Sequence, residues 1–439
     1  MSTDQGLAAI PARHYTFLVL MTALNVMNFV DRQLLASFAN FIVPELGLTD
    51  TQFGLLTGLV FIVFYAVMGL FMGALADMLH RPRLVAFGVA LWSVLTAASG
   101  AARGFVSMAI PRMLIGVGES ILTPTAMSML ADRFPKSQLG FAAGFYYMGV
   151  PIGVGLSLLI AGYLGPAIGW RNCFYLLGAI GLVFAVVMLF VKETPRQHHG
   201  ETQTAPLKLN RESLVQIFNT LTQALRKSPA LGLTMAGGVT LHFILGAAAF
   251  EQLWFVQERG FDKAEIAQMS GWIAMVAGIM GNLFGGLGGD YWQQRTGTGR
   301  PQFLFWVMLV SMPFSIAYRL VDPSSFFFYF GIFVGFFQLG AFYGPTFSTV
   351  QELVPPQIRS TVVAFYILML NLIGLGFGIT AGGIVIDTLR TAGFEQPYTW
   401  TLLSFTLLSG LAIPMFYLAG QRFTEDQKRL YASDPKLAE

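Results

Sequence analysis

The chain has 439 residues, of which 55% are hydrophobic and 11% charged, with a net charge of +3. A soluble domain carries about 25% charged residues, so composition excludes an ordinary soluble enzyme and implies a polytopic membrane protein. So small a charge gives no ground for a nucleic-acid partner, and Cys173, the single cysteine, excludes an intrachain disulfide.

Twelve apolar segments follow, at about 15–43, 50–77, 84–104, 107–132, 138–165, 169–191, 229–257, 262–290, 302–320, 325–352, 359–387 and 398–420. A membrane crossing needs roughly 20 apolar residues. No basic region with a small-residue cleavage site precedes the first segment, so it is expected to be a permanent span. Sharp stops are expected at Pro44, Pro135 and Pro355–Pro356.

The first segment carries Asp31 and Arg32 side by side near its middle. A charge at membrane depth is expensive and is usually kept for a water-filled path, a proton relay or a substrate site. Thr49 and Gln52 form a capping box that opens the second segment. That segment ends in Gly73, Asp77, His80, Arg81 and Arg83, where a small residue permits close helix approach and the carboxylate can latch onto a cation across the bundle. Anchoring by basic residues alone is the plainer reading of the same loop. The fourth segment places Arg112 and Glu119 two turns apart on one face, with Gly116 and Gly118 between them. A static ion pair that fixes packing is the alternative, but desolvation weakens such pairs as stabilisers. A titrating role suits carboxylates in a transporter core.

The fifth segment contains Gly149, Pro151, Gly153 and Gly155, a pattern for tight packing or a hinge. The long polar break, 192–228, holds His198 and His199, read as linker because no further metal ligands cluster nearby. Within it, Leu214, Ile217, Phe218, Leu221 and Leu225 recur at helical spacing and predict an amphipathic helix on the membrane surface. His242 and Glu251 in the seventh segment read as local polar contacts or secondary coupling candidates. Phe337, Phe342 and Tyr343 in the tenth could line an apolar pocket.

Loop cations set the orientation. With the amino terminus cytoplasmic, eighteen of the 26 Lys and Arg residues fall inside and six outside, Arg319 among the latter. Both termini are therefore expected in the cytoplasm. The two sides of the linker also repeat. Gly47, Gly58, Gly73 and Asp77 match Gly260, Gly271, Gly286 and Asp290 at an offset of 213; Pro124, Thr125, Pro135, Gly153 and Gly155 match Pro345, Thr346, Pro356, Gly374 and Gly376 at 221. The division is thus 1–191, a six-helix half; 192–228, a linker; 229–421, a second six-helix half; and 422–439, a tail. Two such halves in parallel repeat are a transporter architecture with its site between them near the midplane.

Gly73 and Asp77 followed by a basic cluster resemble the cytoplasmic loop signature of the major facilitator superfamily. The order of Asn28, Asp31 and Arg32, then Arg112, Gly116, Gly118, Glu119 and Ser120, then Asp132 and Pro135, then Tyr146, Tyr147, Pro151 and Gly155 resembles Spinster-type transporters, in particular a bacterial homologue. This resemblance implies an all-α membrane protein of the major facilitator fold, a lipid-type substrate such as a lysophospholipid or sphingoid phosphate, and proton-linked transport. A small organic anion or drug is the rival substrate, and a non-transporting receptor or scaffold the rival class. Asp31 and Glu119 are the expected proton carriers, with Arg32 and Arg112 as charge partners or headgroup ligands. Gly73, Asp77, Arg81 and Asp290 are the expected latch, and His242, Glu251 and Tyr343 are secondary. No cofactor, metal, nucleotide or enzymatic constellation is read. A monomer in the plasma membrane is expected, among membrane lipids.

Overall fold

The computed structural model describes residues 11–195, 219, 221–355 and 358–433. His198, His199 and most of the predicted amphipathic helix lie outside these residues; its last part, 221–227, is helical, with Leu221 buried in the carboxy-terminal core. Among the described residues there is no strand, and eleven helices are long and apolar enough to cross a membrane. The helix Ala12–Ser37, which contains Asp31 and Arg32, is not among the eleven but runs in the same bundle, packed along the helix Gly149–Ile168.

The twelve spans are mostly interrupted helices. Span one is Ala12–Ser37 with Ala39–Leu46, and span two is Asp50–Thr57 with Leu59–Met78. Spans three and six are unbroken, Arg81–Gly100 and Trp170–Leu189. Span four is Phe105–Glu119 with Leu122–Ala131, and span five is Lys136–Tyr147 with Gly149–Ile168. In the second half, span seven is Pro229–Ala248 with Glu251–Gln257. Spans eight, nine and ten are Lys263–Thr296, Arg300–Leu320 and Phe326–Glu352. Span eleven is Arg359–Met369 and Gly378–Thr391, joined by a π-helical stretch Leu370–Phe377. Span twelve is Pro397–Ser409 with Ala412–Ser433.

Two of the breaks have an identifiable cause. A proline lacks an N–H and leaves the carbonyl four residues earlier unpaired. Pro124 does this to Ser120, where span four breaks immediately after Glu119. Pro151 does it to Tyr147, where span five breaks. Pro44, expected to end the first span, instead sits inside its second helix, and Gly47 in the left-handed region ends it at φ 59°. The expected capping box on Thr49 and Gln52 is present. Asp262 caps span eight, and the N–H groups of Glu265 and Ala264 hold its carboxyl below the usual carboxylate range.

The two halves meet mainly away from the face that carries the chain ends. At that far end Asp50 is tied to Arg390 (2.5 Å) and accepts from the Tyr398 hydroxyl (2.7 Å), while Asp387 accepts from the Thr51 amide (2.8 Å). Asn40 also donates to the Gln252 carbonyl at 2.6 Å. Spans five and eight touch where a Cβ on Gly155 would come within 2.7 Å of the Gly271 carbonyl. Toward the terminal face the same spans separate, and Gly140, Gly144 and Gly286 face open space. The contacts between the halves that tie them by hydrogen bonds and ion pairs thus lie at the face away from the termini.

Candidate functional site

The glycines of span four assemble the site. A Cβ on Gly116 would lie 2.7 Å from the Phe61 carbonyl, so this glycine lets span two press close and present Phe61 and Tyr65. A Cβ on Gly118 would meet Gly88 and Trp92 at 3.0–3.2 Å, so it admits span three with Trp92. Glu119 follows, at the proline-induced break, fully enclosed.

Arg32 donates from Nε and Nη2 to Glu119 Oε2, each at 3.2 Å. Glu119 has no exposed side-chain surface, whereas Arg32 keeps 21%. The Arg32 guanidinium lies over Tyr65 (4.3 Å), Phe29 (4.9 Å) and Phe61 (5.2 Å), and Phe61 stacks on Tyr65. Such faces attract a cation without consuming its hydrogen bonds. Arg112 donates to the backbone carbonyls of Asp31 (3.4 Å) and Arg32 (3.3 Å) and also lies over Phe61.

The pairing is therefore crossed relative to sequence order. Glu119 bonds the arginine of span one, not Arg112 two turns away on its own helix. Asp31 bonds neither arginine through its carboxyl. Both Asp31 oxygens, Trp92 Nε1, Glu119 Oε1, Asn28 Nδ2 and Arg112 Nε are buried without a hydrogen bond of good geometry, Trp92 lying beside Asp31 and Asn28 beside Glu119. Buried polar groups are nearly always paired, so orphans gathered in one place point to chemistry or a missing ligand.

The opposite wall comes from the second half. Buried His242 lies 2.9 Å from the Gly238 carbonyl through Nδ1, which fixes that nitrogen as donor, and 3.3 Å from the Tyr343 hydroxyl through Nε2. Tyr343 is within electrostatic range of Arg32. Phe342 is buried against His242, and Phe337 stacks on Phe333. Glu251 joins a different cluster: it accepts from Arg319 (2.9 Å) and the Tyr318 hydroxyl (2.7 Å). Arg319, expected in an outer loop, is buried at the end of span nine because this carboxylate receives it.

The expected latch residues separate into two clusters. Arg81 binds Asp132 (2.5 Å) and Ser128 (3.0 Å) in the first half and Glu193 (2.8 Å) at the start of the linker. Asp290 accepts from Arg300 (2.8 Å), which also holds Glu352, all in the second half. The side chains of Gly73 and Asp77 lie outside the described residues. Residues missed in the sequence are Tyr65, Trp92 and Arg319's pocket; none carries a charge at mid-span, the property that drew attention to Asp31 and Glu119. Among the described residues no group of three or more His, Cys, Asp or Glu side chains could hold a metal.

A bundle of paired six-helix halves with Asp31, Arg112 and Glu119 buried around Arg32 points to a membrane transporter rather than an enzyme. The model of the Major Facilitator Superfamily matches residues 21–379, and the chain belongs to that superfamily. It is 28% identical to the hexuronate transporter of Bacillus subtilis, over 88% of this chain and 89% of that protein. It is 25% identical to protein spinster of Drosophila melanogaster, over 93% of this chain and 68% of that one. The fold is similar to the crystal structure of a bacterial homologue of the human lysosomal transporter Spinster, inward-facing and occupied, with a TM-score of 0.79 and 23% identity over 95% of this chain and 99% of that chain.

Proposed function

We propose that this chain is a proton-coupled secondary transporter of an amphipathic, lipid-like anion, such as a lysophospholipid or sphingoid phosphate, working by alternating access. The observation that carries the reading is Arg32: one side holds enclosed Glu119, and the other remains open among aromatic rings. An anionic headgroup reaching that side competes with Glu119 for the guanidinium. A carboxylate so released is buried without compensation, and a proton removes that cost. Asp31, whose carboxyl bonds neither arginine, is the second acceptor. Loss of the proton restores the Arg32–Glu119 pair and expels the anion. Arg112 braces the backbone of Asp31 and Arg32, and Tyr343 with His242 supplies the facing wall.

The cation bias supports cytoplasmic termini and a plasma membrane, the inner membrane in a bacterium, and in that orientation the far-end contacts between the halves close the outer side. A small organic anion is the second substrate reading, favoured by the likeness to a hexuronate transporter. Liposomes loaded with a pH-sensitive dye and offered lysophospholipids, sphingoid phosphates and hexuronates test both. The proposal expects proton flux only with the lipid anions. Flux with hexuronates alone transfers the site to small anions, and flux with none of them overturns the coupling.

A further inference from the structure

A second cavity lies inside the carboxy-terminal half, between spans seven, nine, ten and twelve. Its water-accessible space is about 80 Å³, where one water needs roughly 10–15 Å³. It therefore has room for several waters or a short carbon chain. The wall combines Arg319, Glu251 and Gln338 with apolar Leu241, Phe336 and Leu339.

Arg319 is the feature that asks for an occupant. Its residue is 3% exposed, and its guanidinium uses Nη2 for Glu251 and Nε for Thr406 (3.4 Å). The remaining terminal nitrogen, Nη1, is buried without a partner. A guanidinium carries donors in a rigid fork suited to planar oxyanions, and a buried donor left unmet is costly. A structural ion pair alone would not need an adjoining cavity. Gly335 opens the cavity on the span-ten side: a Cβ there would meet nothing within 4 Å. A lining that combines a buried arginine with an unmet donor and mainly aliphatic and aromatic side chains matches an amphipathic anion rather than a sugar or a cation.

We propose that this cavity is a second anion-binding pocket, separate from the Arg32–Glu119 site, for a carboxylate or sulfonate carried on a short apolar chain. The oxyanion bonds Arg319 Nη1 and the Gln338 amide, and the chain lies along Leu241 and Phe336. Occupation does not displace Glu251, because the two acceptors use different nitrogens. The pocket stands whether or not the chain couples transport to protons.

The test uses the full chain in nanodiscs and calorimetric titration with hexanoate, hexane-1-sulfonate, hexan-1-ol and hexylammonium. Both anions should bind saturably, and the alcohol and the amine should not. A Cβ on Gly335 meets no neighbour and Gly335 lines the cavity, so Gly335→Leu should weaken anion binding at least tenfold while thermal stability holds. Arg319→Gln should do the same, and Gln338→Leu should weaken binding with the ion pair intact. The double variant Arg32→Gln/Glu119→Gln should keep the binding event that Gly335→Leu weakens. An event unchanged in Gly335→Leu, equal binding of hexan-1-ol, or loss of that same event in the central double variant would each overturn the proposal.

Discussion

At the scale of single residues, the Arg32–Glu119 pair is asymmetric, and that asymmetry is testable. Removing one partner of a buried pair leaves an uncompensated charge and costs about 3–5 kcal/mol, whereas removing both is often nearly neutral. Arg32→Gln should therefore lower the thermal midpoint in detergent more than Glu119→Gln, because Glu119 is enclosed while Arg32 keeps one open side. Arg32→Gln/Glu119→Gln should recover most of that loss. If the double variant unfolds at the sum of the two single effects, the pair does not interact as described. The charged members of this site were legible in the sequence because charge is rare at membrane depth. Which arginine serves which carboxylate was not, since pairing depends on how span four rotates against span one. Trp92, Phe61 and Tyr65 were invisible for a simpler reason: a chain with 40 Phe and 14 Tyr offers no way to tell a site-lining ring from a packed or lipid-facing one.

Among the elements, glycine contacts decide how closely spans approach. A Cβ on Gly153 would fall 2.6 Å from both Phe29 Cβ and the Val26 carbonyl. Gly153→Ala should push span five away from span one just before Asp31 and destabilise by about 1–3 kcal/mol, read as a lower thermal midpoint. An unchanged midpoint would mean that the spans have slack there. The far-end contacts offer a second element-scale test. Arg390 and Asp387 of span eleven hold the start of span two through Asp50 and Thr51. Arg390→Ala should loosen that seal. Spin labels at exposed Arg103 and Ser324 should then report a longer distance component, and an unaltered distribution would make the seal dispensable. Most span limits were readable to within a few residues because hydropathy and capping act locally, but spans eight and twelve run on to Thr296 and Ser433, past the expected 290 and 420 and into the expected tail. The internal breaks were less so: Pro124 and Pro151 mark two of them, but the π-helical stretch Leu370–Phe377 has no proline and arises from packing of Gly374 on His242 and Gly376 on Leu59.

For the whole molecule, the internal repeat of two six-helix halves is what the proposed alternating access requires. The proposed orientation rests on the loop cations and is checked by labelling. Cys173 is buried, so background reaction is low. Introduced cysteines at Arg103 and Ser324 should react with an impermeant reagent on intact cells, and one at exposed Arg83 should not. The reverse pattern would invert the molecule and put the far-end contacts on the inner side.

The most direct measurement of the central claim is pH-gradient-driven uptake in proteoliposomes by the unmodified protein, Asp31→Asn and Glu119→Gln, together with substrate binding at two pH values. The account predicts that each neutral variant stays folded and loses gradient-driven uptake, and that at least one still binds substrate, now without dependence on pH. Uptake by both variants that still rises with the proton gradient as in the unmodified protein would contradict it and leave the buried charges as packing alone.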